Sequence, residues 1–211
     1  MDELELLKKD WKNNNAQFKQ VSENEIYGIL HKSSSSIVKW IFIISILEIV
    51  LWTSLGFLTN NDSYWQMLNK YHLKTFMLVI SIINYVVIVY FIYRFYSNYK
   101  KINATDSVNQ LLKNILNSRK TVKQYVNYNL LIIGFILIVA FAAQTMYEPK
   151  LQEIINKFGA DSNKGYILVF GIYFVFILAF TFIIWLFYRL IYGFLMKRLK
   201  QNYKELEKIE Y

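Results

Sequence analysis

The sequence predicts an all-α integral membrane protein, an antiparallel four-transmembrane-helix bundle with amphipathic cytosolic helices. Three observations carry that expectation. The chain holds four long apolar runs, each close to the roughly 20 residues needed to cross the hydrocarbon core. Hydrophobic residues make up 55% of it and aromatics 18%, more than a soluble chain normally carries. Seven Gly and one Pro among 211 residues leave little sequence for loops or linkers. Runs of this length can span only as helices, because backbone polar groups in hydrocarbon must be paired within their own segment.

Residues 1–36 read as cytosolic N-terminal amphipathic helices. Leu4, Leu7 and Trp11 recur at i, i+3 and i+7, with Lys8, Lys9 and Lys12 largely on other faces. Asn13, Asn14 and Asn15 then break the pattern. Ser22 and Glu25 have the spacing of a capping box, and Val21 with Ile26 completes a hydrophobic staple. The helix they open presents Ile26, Ile29 and Leu30 on one side and is expected to end near His31 and Lys32. Ser33 to Ser36 then read as a polar connector whose hydroxyls cap the next helix. These apolar faces make Leu4, Leu7, Trp11, Ile26 and Leu30 candidates for binding a partner, with lipid headgroups or the protein's own helices as the other surfaces available.

Residues 37–196 form the membrane domain, with spans at about 40–58, 76–93, 130–146 and 166–187. No cleavable signal precedes the first span, which is expected to serve as its own targeting signal. Tyr64, Trp65 and Tyr71, between the first two spans, are residue types that favour the membrane interface. The connection 97–127 is polar yet periodic, with Val108, Leu111, Leu112, Ile115, Val122 and Tyr125 near helical spacing. It reads as a cytosolic helix capped by Asn103, Thr105 or Asp106, with continuity into the third span as one option. Its apolar face needs a partner, for which the C-terminal tail is the obvious candidate. In the third span Gly134, Ala140, Ala142 and Ala143 offer a close approach to another helix, and Pro149 ends the span. Residues 150–164 suggest one or two amphipathic turns at the interface, through Leu151, Ile154, Ile155 and Phe158. Residues 197–211 continue the apolar spacing of the fourth span as a cytosolic helical tail.

Orientation follows from charge. If both termini are cytoplasmic, 19 of the 24 Lys and Arg lie on the cytoplasmic side, which satisfies the positive-inside rule. The expected placement is therefore multi-pass, with both termini in the cytoplasm. The net charge of +9 is divided among membrane-flanking stretches, so it points to the bilayer and its anionic headgroups rather than to nucleic acid.

Glu48 lies near the centre of the first span, where an ionised side chain costs about 2.5–3.5 kcal/mol among lipids. It should therefore face the bundle. Asn84 lies at the centre of the second span, and antiparallel packing would bring the two to one depth. Ser45 with Glu48 and Ser81 with Asn84 are i, i+3 pairs, so each helix can show a small polar stripe to the other. This intramembrane set either fixes helix packing or forms a proton or cation relay. His31 and His72 are the only histidines, and the topology puts them on opposite sides of the membrane. No metal site, cofactor motif, catalytic group, phosphate loop or nucleophile beside a base is visible. The absence of cysteine excludes disulfides and thiolate metal sites.

The opening MDELELLKKDW, the stretch SENEIYGILHKSSSSIVKWIFIISILE and the four-span layout resemble a family of small inner-membrane proteins of Bacteroidota, often labelled automatically as beta-carotene 15,15'-monooxygenase. The resemblance is most specific over residues 1–50. The label implies an iron site held by several histidines, whereas this chain has two, placed apart. The function expected is non-enzymatic, a regulatory or scaffolding module acting through its cytosolic helices on a protein partner or in a homo-oligomer. An oligomeric transporter or proton-linked channel using Glu48 and Asn84 is the rival. A membrane-tethered anti-sigma-type regulator is a lesser alternative.

Overall fold

The computed structural model describes residues 22–59, 61–105, 107–157 and 162–209. Leu4, Leu7, Trp11, Val21, Asp106 and Phe158 lie outside these, and with them the first amphipathic helix and the staple. Among the described residues there are six helices: α1 (Glu23–Thr59), α2 (Asp62–Lys70), α3 (Lys74–Asn103), α4 (Val108–Tyr147), α5 (Pro149–Lys157) and α6 (Ser162–Ile209). Four of them, α1, α3, α4 and α6, are long and apolar enough to cross a membrane.

The capping box forms at the start of α1. The Ser22 amide donates to Glu25 Oε2 at 3.0 Å and the Glu25 amide donates to Ser22 Oγ at 3.3 Å. The helix it opens does not stop at His31, and the expected serine connector is a correction. Residues 33–36 are helical. Serine costs only a few tenths of a kcal/mol in a helix interior, and tertiary partners outweigh that here. Asn202 donates to Ser33 Oγ at 2.9 Å and to Ser34 Oγ at 3.1 Å, while Ser35 donates to Asn103 Oδ1 at 3.3 Å. The buried Ile37, Val38 and Ile41 follow directly.

The stretch 96–128 is likewise divided differently from the expectation. α3 runs on to Asn103, the chain turns, and Ser107, not one of the three expected caps, opens α4 by accepting from the Gln110 amide at 3.4 Å. From Val108 the connection and the third span are one continuous helix. Pro149 starts α5, where its missing N–H and fixed φ are tolerated.

In the bundle α1 packs beside α3, α3 beside α4, α4 beside α6, and α6 closes the ring on α1. Neighbours run antiparallel, as three cross-links show: His31 with Ile102, Asn98 with Thr121, and Ser34 with Asn202. Both described chain ends lie at one end of the ring, termed here the stalk. The buried cluster is concentrated there, with Ile41 from α1, Phe95 and Ile102 from α3, Leu111 and Ile115 from α4, and Leu199 and Leu206 from α6. The apolar stripe of the connection thus finds its partner in the C-terminal tail, together with α1 and α3. By contrast, only 6–17% of each span's most apolar window is buried. The spans turn most of their side chains outward, as helices in lipid can and helices in water cannot.

Of the small residues expected to allow close approach, Ala143 is buried, but Gly134 is not used. A Cβ on Gly134 would meet nothing within 4 Å, so no helix uses it for close approach. The close approach is at Gly165, where a Cβ would stand 2.5 Å from the Ile155 carbonyl oxygen. That contact presses α5, with Ile155 buried, against the start of α6.

Candidate functional site

Glu48 faces the bundle interior and is 5% exposed. Both of its carboxylate oxygens are occupied. Tyr188 donates to Oε1 at 2.5 Å and Tyr192 donates to Oε2 at 2.9 Å. The two tyrosines are i, i+4 on α6, so they share one face. Their rings are 6.1 Å apart and nearly parallel, and the Tyr125 ring of α4 stands edge-on to both. The site thus joins α1, α4 and α6. Tyr125 and Trp52 also lie beside the carboxylate.

Asn84 is not the partner of Glu48. Its Oδ1 accepts from the Tyr128 hydroxyl at 3.0 Å. Ser45, fully buried, donates back to the Phe42 carbonyl at 2.7 Å, so it serves its own helix. Ser81 is exposed on α3 and does not join Glu48. The expected polar set is therefore split between two places, and the tyrosines that hold Glu48 lie past the expected end of the fourth span. The signal that could have found them is the Tyr188 and Tyr192 pair one turn apart, continuing the inward phase of α6.

Beyond the tyrosines, away from the stalk, the helices part around a partly open cavity of about 270 Å³. Ile49, Trp52, Ile88, Ile132 and Ile136 supply apolar wall, Ser81, Asn84 and Asn129 supply polar groups, and Tyr125 and Tyr188 form the floor. Asn129 donates to the Tyr125 carbonyl at 2.9 Å. A second space of about 370 Å³ shares Thr53, Ser81 and Tyr85 with it and reaches Tyr64 and Trp65 of α2.

The histidines are apart and each has a packing role. His31 Nε2 donates to the Ile102 carbonyl at 2.8 Å, and Tyr27 beside it donates to the Thr105 carbonyl at 3.2 Å, which ties α1 to the end of α3. His72 follows the C-cap of α2 with φ 55°. Its amide and that of Leu73 bond back to Asn69 and Leu68, closing the helix end, and its ring stands edge-on to Tyr147. Among the described residues no three His, Cys, Asp or Glu gather in a group that could hold a metal ion.

At the end opposite the stalk, Glu148 links two connections. It accepts from Lys70 Nζ at 2.5 Å and from the Tyr71 hydroxyl at 2.8 Å. Those two hydrogen bonds hold the Glu148 carboxyl below its ordinary range. Partial burial, and then the Glu148 carboxylate, push the Tyr71 hydroxyl above its own.

Of the expected partner-binding residues that the structure describes, Leu30 packs against the buried cluster and Ile26 is half-buried; Ile29 on the same helix, not one of those candidates, is 64% exposed. A domain of unknown function, DUF8845, matches residues 24–211. No curated protein and no solved structure matches the chain.

Proposed function

The chain belongs to the DUF8845 family, a domain of unknown function, and on that premise we propose that it is a non-enzymatic, multi-pass protein of a bacterial inner membrane that acts as a regulatory or scaffolding module through its stalk, with both termini cytoplasmic. The place of the core carries this reading. All four spanning helices run unbroken into the stalk, where the buried cluster locks them together. A surface built on so rigid a base is preorganised, which lowers the entropy lost when a partner docks. That surface is basic, with Lys100, Lys101, Lys113, Lys120, Lys197 and Lys200 all exposed. It suits an acidic protein face, and near the bilayer it suits anionic headgroups.

Two experiments test the reading. Because the chain has no cysteine, Lys113→Cys and Lys150→Cys give clean topology probes. On intact cells an impermeant maleimide should label only the second, and the reverse would overturn the orientation. Photo-crosslinking residues at Lys113, Lys120 and Lys200 should give discrete protein adducts, whereas Phe174 and Val175 should not. Adducts to lipid alone from the stalk positions would count against the module.

The transport reading has less support. Tyrosines occupy both oxygens of Glu48, and Phe91, Phe95 and Ile102 fill the bundle towards the stalk. Proton flux in liposomes that Glu48→Gln abolishes would favour it.

A further inference from the structure

We propose that the cavity between α1, α3 and α4 binds an uncharged lipophile whose hydroxyl or amide group docks between Asn84 and Asn129. This is independent of any role for the stalk. The argument starts from what each amide has already used. Asn84 accepts from Tyr128 through its Oδ1, which leaves its Nδ2 hydrogens as donors. Asn129 gives its Nδ2 to the Tyr125 carbonyl, which leaves its Oδ1 as an acceptor. Both line the same space of about 270 Å³. A spare donor and a spare acceptor on two residues that line one small cavity match a group that both accepts and donates, and a hydroxyl or an amide does so.

Charge narrows the class further. No Lys, Arg, Asp or Glu is among the residues lining the cavity. The carboxylate beneath it, Glu48, is held on both oxygens by Tyr188 and Tyr192. An ammonium or a carboxylate placed there would lack a counter-ion in an apolar surround, which is costly. The walls are Ile49, Trp52, Ile88 and Ile132, and the space continues past Thr53, Ser81 and Tyr85 towards Trp65. An elongated, chain-like molecule fits that extension. Mostly apolar walls with a few convergent polar groups are the ordinary pattern of a small-molecule site.

The test uses the full chain in lipid nanodiscs and a hexadecanol carrying a photoactivatable diazirine, with the matching acid, amine and hydrocarbon. The alcohol should label Trp52, Tyr85 and Ile132, with unlabelled hexadecanol competing. Ile133 also lines the cavity, and Ile133→Trp, which fills it, should abolish that labelling. Asn84→Leu should weaken competition about tenfold, the loss of one hydrogen bond in an apolar site. Tyr128→Phe should leave it in place, because that change frees Asn84 rather than removing it. Thermal unfolding followed in parallel identifies any variant that fails to fold, and the remaining variants then decide. Equal labelling by the hydrocarbon, stronger labelling by the acid or amine, or uncompeted labelling spread over Phe174 and Val175 would each overturn the proposal.

Discussion

The Tyr188 hydroxyl donates to Glu48 Oε1 at 2.5 Å, and Tyr192, one turn along α6, holds the other oxygen at 2.9 Å. Removing the acid therefore strands two buried hydroxyls, each costing about 1–3 kcal/mol if left unpaired. Glu48→Leu should lower the thermal unfolding midpoint in detergent more than Glu48→Gln, whose amide keeps one acceptor and fills the same volume. A double-mutant cycle of Glu48→Gln with Tyr188→Phe should give a coupling of about 1 kcal/mol. Glu48→Leu unfolding no earlier than Glu48→Gln would show that the carboxylate does not hold α1 to α6.

The contrast between the helices and this site shows what the sequence makes legible. A span is read from some twenty side chains at once, so α1, α3, α4 and α6 are visible in hydropathy alone. The stripe Leu111, Ile115 and Val122 is visible for the same reason, because its period repeats. The partner of Glu48 depends on one helix's rotation and shift against another, and neither is encoded near Glu48. Arg189 marks an end to the fourth apolar run just where the inward phase of α6 continues through Tyr188 and Tyr192. The serines mislead in a related way. Their hydroxyls suit a cap or a helix interior equally, and the deciding partner, Asn202, lies 168 residues from Ser34.

Asn202 bridges Ser33 and Ser34 from α6, and Ser34 is 0% exposed. Asn202→Leu removes both donors and leaves the buried Ser34 hydroxyl without that partner. A loss of about 1–3 kcal/mol is expected, read as a lower denaturant midpoint. Lys200→Ala, exposed on the same helix, should stay within about 0.5 kcal/mol. Equal effects from the two would mean the bridge contributes nothing to holding the stalk closed.

Glu148 holds α2 against the end of α4 more strongly while it is ionised. Its carboxyl is held below the ordinary value by Lys70 and Tyr71. A group depressed in the folded state adds stability above its unfolded pKa and loses it as pH falls through its folded pKa. Acidification should therefore loosen this connection before the stalk, read as a lower protection of the α2 amides relative to their intrinsic exchange rate at each pH. Glu148→Gln should show the lowered protection already at neutral pH, with little further change on acidification. A parent protein whose α2 protection does not change with acid would show that the ionised contact does not hold this end.

Gly165 separates a packing role from a helix-propensity effect. A methyl group there would stand 2.5 Å from the Ile155 carbonyl oxygen, a backbone atom with little room to retreat. Gly165→Ala should therefore push α5 off α6 and destabilise the protein, although alanine is the better helix former. Gly171→Ala, with nothing within 4 Å, keeps only the propensity gain of roughly 0.5–1 kcal/mol. The two substitutions should move the unfolding midpoint in opposite directions. Limited proteolysis should cut near α5 faster in Gly165→Ala than in the parent. If both substitutions stabilise, α5 is not seated on α6 as closely as Ile155 indicates.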